Sequence, residues 1–218
     1  LRGVVWDCDG TVVDSEPIAI GIWTEVLHDL GCSVTDADWE RLVGRPFPAF
    51  HEHFSARCAL PPADELLDRF VDRLYPAFRS RLRAFDDAVA AIDLLSEHRV
   101  PMAVASSSHR ERLDVMLDVV GLTDCFQATV AGNEVAVGKP EPDIYRAAAA
   151  HLRLDPVECL AVEDTAPGIR AAATAGMYVV GVARGARAPH QLVDADRVVA
   201  ELDGEHLWNL LRNSDRRD

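Results

Sequence analysis

Asp7 and Asp9 stand one residue apart, directly after the apolar run Val4-Val5-Trp6 and just before Gly10 and Thr11. β-Branched and aromatic residues favour extended chain, so the run reads as a buried strand. Gly10 permits a sharp turn directly after it. Such strand ends are where open α/β sheets keep their ligands. On an extended chain, residues of equal parity share a side, which sets the two carboxylates next to each other. Neighbouring carboxylates repel unless a cation or a shared proton relieves them. Alone, the pair fits a metal site, a proton-sharing acid/base pair, or an acidic turn without chemistry.

Three further clusters fall at or just beyond the ends of predicted strands. Ser106-Ser107-Ser108 follows the apolar run Pro101 to Ala105. Hydroxyls in that place can bind phosphate oxygens together with backbone N–H groups. Ser108 to Glu111 also has the S-x-x-E spacing of a capping box. Ser108 therefore reads as a helix cap, and Ser106, with Ser107 beside it, as the ligand candidate. Lys139 lies in the stiff loop Gly138-Lys139-Pro140-Glu141-Pro142 and is the only lysine among 22 basic residues. It can serve as a local counter-ion for phosphate and carboxylates. Glu163-Asp164-Thr165 follows Cys159 to Val162 and precedes Pro167. Asp164 or Thr165 can cap the next helix. Alternatively, the two acids complete with Asp7 an oxygen-donor site suited to Mg²⁺.

The elements that must position these residues can be read from periodicity. Asp14-Ser15-Glu16-Pro17 is a helix start. Ala19, Ile22, Trp23, Val26, Leu27 and Leu30 then form one apolar stripe, ended by Gly31. Helices are expected over Asp36 to Val43, Pro48 to Cys58 and Asp64 to Leu82, with no strand pattern between residues 15 and 82. From Asp86 onward, helices alternate with short strands: Ala128 to Val130, Cys159 to Val162, Tyr178 to Val182 and an edge strand at Arg197 to Val199. The expected fold is α/β, a Rossmann-like parallel sheet with helices on both faces. An all-helical cap domain (15–82) is inserted into the core domain formed by 1–14 and 83–218.

The four motifs, in this order and each after a strand, resemble the haloacid dehalogenase superfamily in its branch with a helical cap, which includes β-phosphoglucomutase-like and phosphoglycolate phosphatase-like enzymes. The matching residues are Asp7-Cys8-Asp9-Gly10-Thr11, Ser106, Lys139 and Glu163-Asp164, and the likeness covers essentially the whole chain. It implies a Mg²⁺-dependent phosphatase acting on a small phosphorylated metabolite. Asp7 would be the nucleophile and Asp9 the general acid and base. Asp7, the backbone carbonyl of Asp9, and Asp164 with Glu163 beside it would hold the metal. Gly10, Thr11, Ser106, Ser107 and Lys139 would hold the phosphoryl group. Arg45 in the cap would grip the substrate, or else be a solvated surface arginine. Ala19 stands where β-phosphoglucomutase has histidine, and His109-Arg110 and Asp86-Asp87 also depart from that enzyme. The phosphatase is therefore favoured over a phosphosugar mutase, with a non-catalytic binding relative third.

Bulk properties bound the partners. The net charge of −14 disfavours nucleic acid and anionic membranes, and also repels phosphorylated metabolites unless a site carries local cations. No apolar run is long enough to span a membrane, and no signal-peptide pattern opens the chain. The five cysteines form no C-x-x-C pair and read as reduced thiols of a cytoplasmic protein. No long exposed apolar stripe demands a partner, so a monomer is expected.

Overall fold

The computed structural model describes residues 1–42, 47–184 and 192–213. The chain divides into two compact units, Leu1–Asp14 with Arg83–Asp218, and Ser15–Leu82. The first unit carries six strands: β1 (Gly3–Trp6), β2 (Met102–Ser106), β3 (Ala128–Ala131), β4 (Cys159–Glu163), β5 (Tyr178–Val182) and β6 (Arg197–Val199). They form one sheet in the order β3-β2-β1-β4-β5-β6, with every neighbouring pair parallel. Its helices are α5 (Asp86–Glu97), α6 (Arg110–Val119), α7 (Asp143–His151), α8 (Ala166–Ala175) and α9 (Gly204–Asn213). The chain works outward from β1 to β3, then returns to the other side of β1 to lay down β4. The carboxyl ends of β1 and β4 thus flank a topological switch point, where a crevice opens in such sheets.

Both faces are buried at the inner strands β2, β1, β4 and β5, which explains why their sequences lack polar alternation. Val5, Ala103, Ala105, Ala161 and Val179 pack with Ile144, Tyr145 and Ala148 of α7 and Ile169 and Ala172 of α8. Their neighbours of opposite parity, Val4, Trp6, Met102, Val104, Leu160 and Val162, are equally buried on the other face. Full burial of such a side chain is worth about 1.5–3 kcal/mol. Gly176 takes up φ +97° at the end of α8, the left-handed position that favours glycine after a helix.

The second unit consists of α1 (Glu16–Asp29), α2 (Asp36–Leu42), α3 (Phe47–Ser55) and α4 (Ala63–Arg81). Trp23 of α1 stacks on Phe70 of α4 at 4.0 Å and meets Phe50 of α3 at 4.4 Å between ring centroids. Buried Asp38 accepts hydrogen bonds from Thr35, His53 and Arg57. Burial opposes the charge on Asp38, but these donors hold its carboxyl well below the usual carboxylate range. His51 faces elsewhere, toward the Pro61 carbonyl.

One expectation fails here. Cys32 and Cys58 are joined in a disulfide, with Cα atoms 5.6 Å apart, while Cys8, Cys125 and Cys159 are free. The reading of all five as reduced thiols missed a pair that lies 26 residues apart in sequence. Bridges are favoured in oxidising compartments, so this pair withdraws its support from a cytoplasmic setting. Replacing Cys58 by serine is expected to lower stability by about 3 kcal/mol. Urea unfolding followed by tryptophan fluorescence, with and without reductant, measures that loss. Among the described residues no helix is long and apolar enough to cross a membrane.

The two chain passages between the units run side by side within the sheet-bearing unit. The Asp14 N–H donates to the Arg83 carbonyl and the Phe85 N–H to the Val12 carbonyl. Arg184 lies 3.9 Å over the Phe85 ring and pairs with Asp87 at 2.7 Å. Asp87 also accepts the Leu202 N–H. Asp87 thus has a structural task in this unit.

Candidate active site

β1 ends at Trp6, and the Asp7 N–H still donates to the Val162 carbonyl at 2.9 Å, which keeps Asp7 in line with β4. Asp7 has the parity of Val5, so its side chain turns toward the α7 side of the sheet. Glu163, at the end of β4, shares that parity with Ala161. The loop before α7 brings Lys139 between them. Its ammonium lies 2.6 Å from Asp7 Oδ1 and 2.7 Å from Glu163 Oε1, with a side chain only 5% exposed. The Tyr145 hydroxyl donates to the same Glu163 oxygen at 3.1 Å.

Glu163 is saturated with donors. Besides Lys139 and Tyr145, its Oε2 accepts from the Asp164 N–H, the Thr165 N–H and the Thr165 hydroxyl at 2.8–2.9 Å. Burial opposes its charge, yet Lys139 and these donors hold it below the ordinary glutamate value. Glu163 holds the Lys139 ammonium and the Asp164 backbone N–H. The Thr165 hydroxyl accepts from the Gly168 N–H, so Thr165, not Asp164, caps α8. A Cβ at Gly168 would land on the Glu163 carboxylate. Gly168→Ala is therefore expected to cost about 1–3 kcal/mol and to displace Glu163 and Lys139 together. Activity should fall with it, which is read by comparing the urea midpoint and kcat of the variant and the wild type.

Asp7, Glu163 and Asp164 each offer an oxygen within 4.8 Å of the others, all buried. The Lys139 ammonium meets two of the three, Asp7 and Glu163. Burial pushes the Asp7 carboxyl well up; Lys139 opposes this, and Glu163 and Asp164 add to it. Burial would lower Lys139, but Asp7 and Glu163 outweigh it and raise its pKa well above the ordinary value, so it stays charged. The negative charge gathered here lies on hard oxygen donors, which suit a divalent cation.

Asp7 and Asp9 meet different partners. β1 ends at Trp6, Asp9 forms an isolated bridge with Val13, and the Gly10 N–H donates to the Val13 carbonyl. Asp9 Oδ1 meets Arg112 at 2.7 Å, and its Oδ2 accepts the Ser108 hydroxyl at 2.8 Å and the Ser106 hydroxyl at 3.3 Å. The Asp9 carboxylate therefore stands outside the buried acidic group. Ser108, expected to cap α6, does not: His109 occupies that position without a side-chain hydrogen bond. Ser106 is buried, with its oxygen taking the Ser108 N–H, whereas Ser107 is exposed. Gly10 and Thr11, expected beside the phosphate, use their own N–H groups within the loop. The Thr11 hydroxyl reaches Asp164 Oδ1 at 3.3 Å. Cys8 is buried, as expected. Arg45 lies outside the described residues.

Sequence reasoning missed Arg112, Tyr145 and Gly168. Arg110, by contrast, serves structure: it bonds Glu134, Asp114 and Thr129. The Arg110 guanidinium and the Ala131 N–H lower Glu134 from 4.5 to about 2. The folded value is depressed, so the stabilisation is present above the unfolded value of 4.5 and lost as pH falls through about 2. Glu134→Gln should therefore lower Tm near neutral pH by a margin that narrows on acidification, as thermal scans at pH 7 and pH 3 would show.

Residues 1–176 match the haloacid dehalogenase-like hydrolase family. A bifunctional riboflavin kinase/FMN phosphatase from Arabidopsis thaliana is 30% identical over 207 residues, 91% of this chain. The chain spans about half, 53%, of that relative's length. Fructose-1-phosphate phosphatase YqaB from Escherichia coli (strain K12) is 32% identical, across 83% of this chain and 95% of its own. A β-phosphoglucomutase from Bacillus subtilis (strain 168) is 28% identical, across 92% of this chain and 90% of its own.

Proposed function

Because this chain belongs to the haloacid dehalogenase-like hydrolases, we propose that it is a Mg²⁺-dependent phosphatase of a small phosphorylated metabolite, such as a sugar phosphate, working through an aspartyl-phosphate on Asp7. The observation that carries the reading is the Lys139 ammonium 2.6 Å from Asp7 Oδ1, inside a buried group of three carboxylates. A carboxylate that must attack a phosphate dianion needs positive charge beside it.

In the first half-reaction an Asp7 oxygen bonds to phosphorus as the ester P–O bond breaks, and the departing oxygen takes a proton from Asp9. In the second, Asp9 removes a proton from water, the water oxygen bonds to phosphorus, and the Asp7–phosphorus bond breaks to release phosphate. Lys139 offsets charge on Asp7 throughout, and the backbone held by Glu163 keeps Asp164 in place. Ser106 and Ser108 stand where they orient Asp9. Mg²⁺, held by Asp7, Asp164 and the Asp9 carbonyl, would supply the remaining charge that brings phosphate and carboxylate together. Arg45 remains the proposed substrate-gripping residue of the inserted cap.

The likeness to a β-phosphoglucomutase favours a second reading, in which a sugar hydroxyl replaces water as the acceptor. Ala19, His109-Arg110 and Asp86-Asp87 weigh against it, and two of these now have structural occupations: Arg110 with Glu134, and Asp87 with Arg184. Release of inorganic phosphate from a panel including fructose 1-phosphate, FMN, sugar-acid phosphates and nucleoside monophosphates separates the readings. Mg²⁺-dependent release without a bisphosphate activator is the expected result. Isomerisation of a hexose phosphate that requires a bisphosphate would replace the phosphatase with the mutase.

A further inference from the structure

The two acids after β1 are neutralised by different cations on different elements. Lys139 pairs with Asp7 and also with Glu163, so its ammonium is committed to the buried group. Asp9 relies on Arg112 of α6, at 2.7 Å. Arg112 lies four residues after Ser108, one helical turn on, so α6 and the turn before it present both partners to the one carboxylate. The oxygens are divided between them: Oδ1 takes the guanidinium, and Oδ2 takes the Ser108 and Ser106 hydroxyls. A carboxylate held on both oxygens has a fixed plane. The Asp9 and Arg112 side chains are 28% and 26% exposed, so the pair is open to solvent.

We propose that Arg112 is a positioning residue of the reaction, which sets the orientation of the Asp9 carboxylate for proton exchange with the leaving group. This rests on the reading of Asp9 as general acid and base. Arg112 contacts Asp9 Oδ1, and through that carboxylate it acts on the proton rather than on phosphorus. Its loss should therefore slow only those reactions in which a proton must pass to the leaving oxygen. An alkoxide needs that proton, whereas p-nitrophenolate leaves without it.

The test compares kcat/KM for glycerol 2-phosphate and p-nitrophenyl phosphate in the wild type, Asp9→Asn, Arg112→Met, Arg112→Lys and the double variant Asp9→Asn/Arg112→Met, with Mg²⁺ present. Methionine keeps an unbranched apolar stem against the helix and removes only the charged fork. Asp9→Asn should lose about 10²–10⁴-fold on the alkyl ester and far less on the aryl ester. Arg112→Met should show the same preference, with a loss about tenfold greater on the alkyl ester, and Arg112→Lys should recover part of it. In the double variant, the loss at Arg112 should vanish, because both changes act on one step. Equal losses on both esters, or undiminished losses in the Asp9→Asn background, would overturn the proposal and leave Arg112 a merely structural residue. If Asp9→Asn itself shows no leaving-group preference, or the wild type hydrolyses neither ester, the assigned chemistry fails first and the proposal with it.

Discussion

Replacing Asp7 by asparagine is expected to abolish phosphate release, by at least about 10⁴-fold, while leaving the protein folded and more stable when no metal is bound. The two effects have one origin. Burial, with Glu163 and Asp164 adding to it, makes the Asp7 charge costly in spite of Lys139. A carboxyl whose folded pKa lies above its unfolded value costs stability once pH exceeds the unfolded value, so a neutral amide of the same shape removes that cost. The nucleophilic oxygen is lost with it. Urea unfolding in EDTA should move the Asp7→Asn midpoint upward, while phosphate assays with Mg²⁺ fall to background. A variant that is less stable than the wild type in EDTA would contradict the charge count; one that keeps its activity would remove Asp7 from the chemistry.

Lys139→Met should behave oppositely in stability. It leaves Asp7 and Glu163 buried without the ammonium they share, and removing one partner of a buried pair costs about 3–5 kcal/mol. Activity should also fall by about 10²–10³-fold, the usual scale for losing one preorganised donor at a developing charge. One site would then yield a stabilised inactive variant and a destabilised inactive variant, a contrast that generic damage to the fold cannot produce. Equilibrium unfolding of both variants in EDTA, beside kcat with Mg²⁺, reads it directly.

These effects explain what the sequence could and could not disclose. Each site element announces itself where an apolar run meets a polar residue, because a strand buried on both faces has no other place to expose a polar group. Asp7, Ser106 and Glu163 were legible for that reason. The strand and helix spans followed from the same patterning, within about three residues: the helix expected to reach Cys58 ends at Ser55. The cation that Asp9 meets was not legible, because Arg112 lies 103 residues away in sequence. Ser108 matched a capping box but found a carboxylate partner 99 residues away in sequence, which local spacing cannot show. Arg112 carries only a faint signal, its one-turn spacing from Ser108 at the start of α6. Gly168 matters through what its missing Cβ would strike, and Tyr145 through a glutamate 18 residues later. The Cys32–Cys58 bond likewise depends on how the helices of the inserted unit pack together.

The central claim is the covalent step at Asp7. It is tested most directly by mixing the enzyme and Mg²⁺ with a phosphate-labelled ester, quenching in acid within a single turnover, and mapping the label by mass spectrometry. The account predicts a hydroxylamine-labile phosphoryl group on Asp7 that forms before phosphate is released and is missing in Asp7→Asn. Phosphate release with no labelled protein at any quench time, or label that persists in Asp7→Asn, would contradict it.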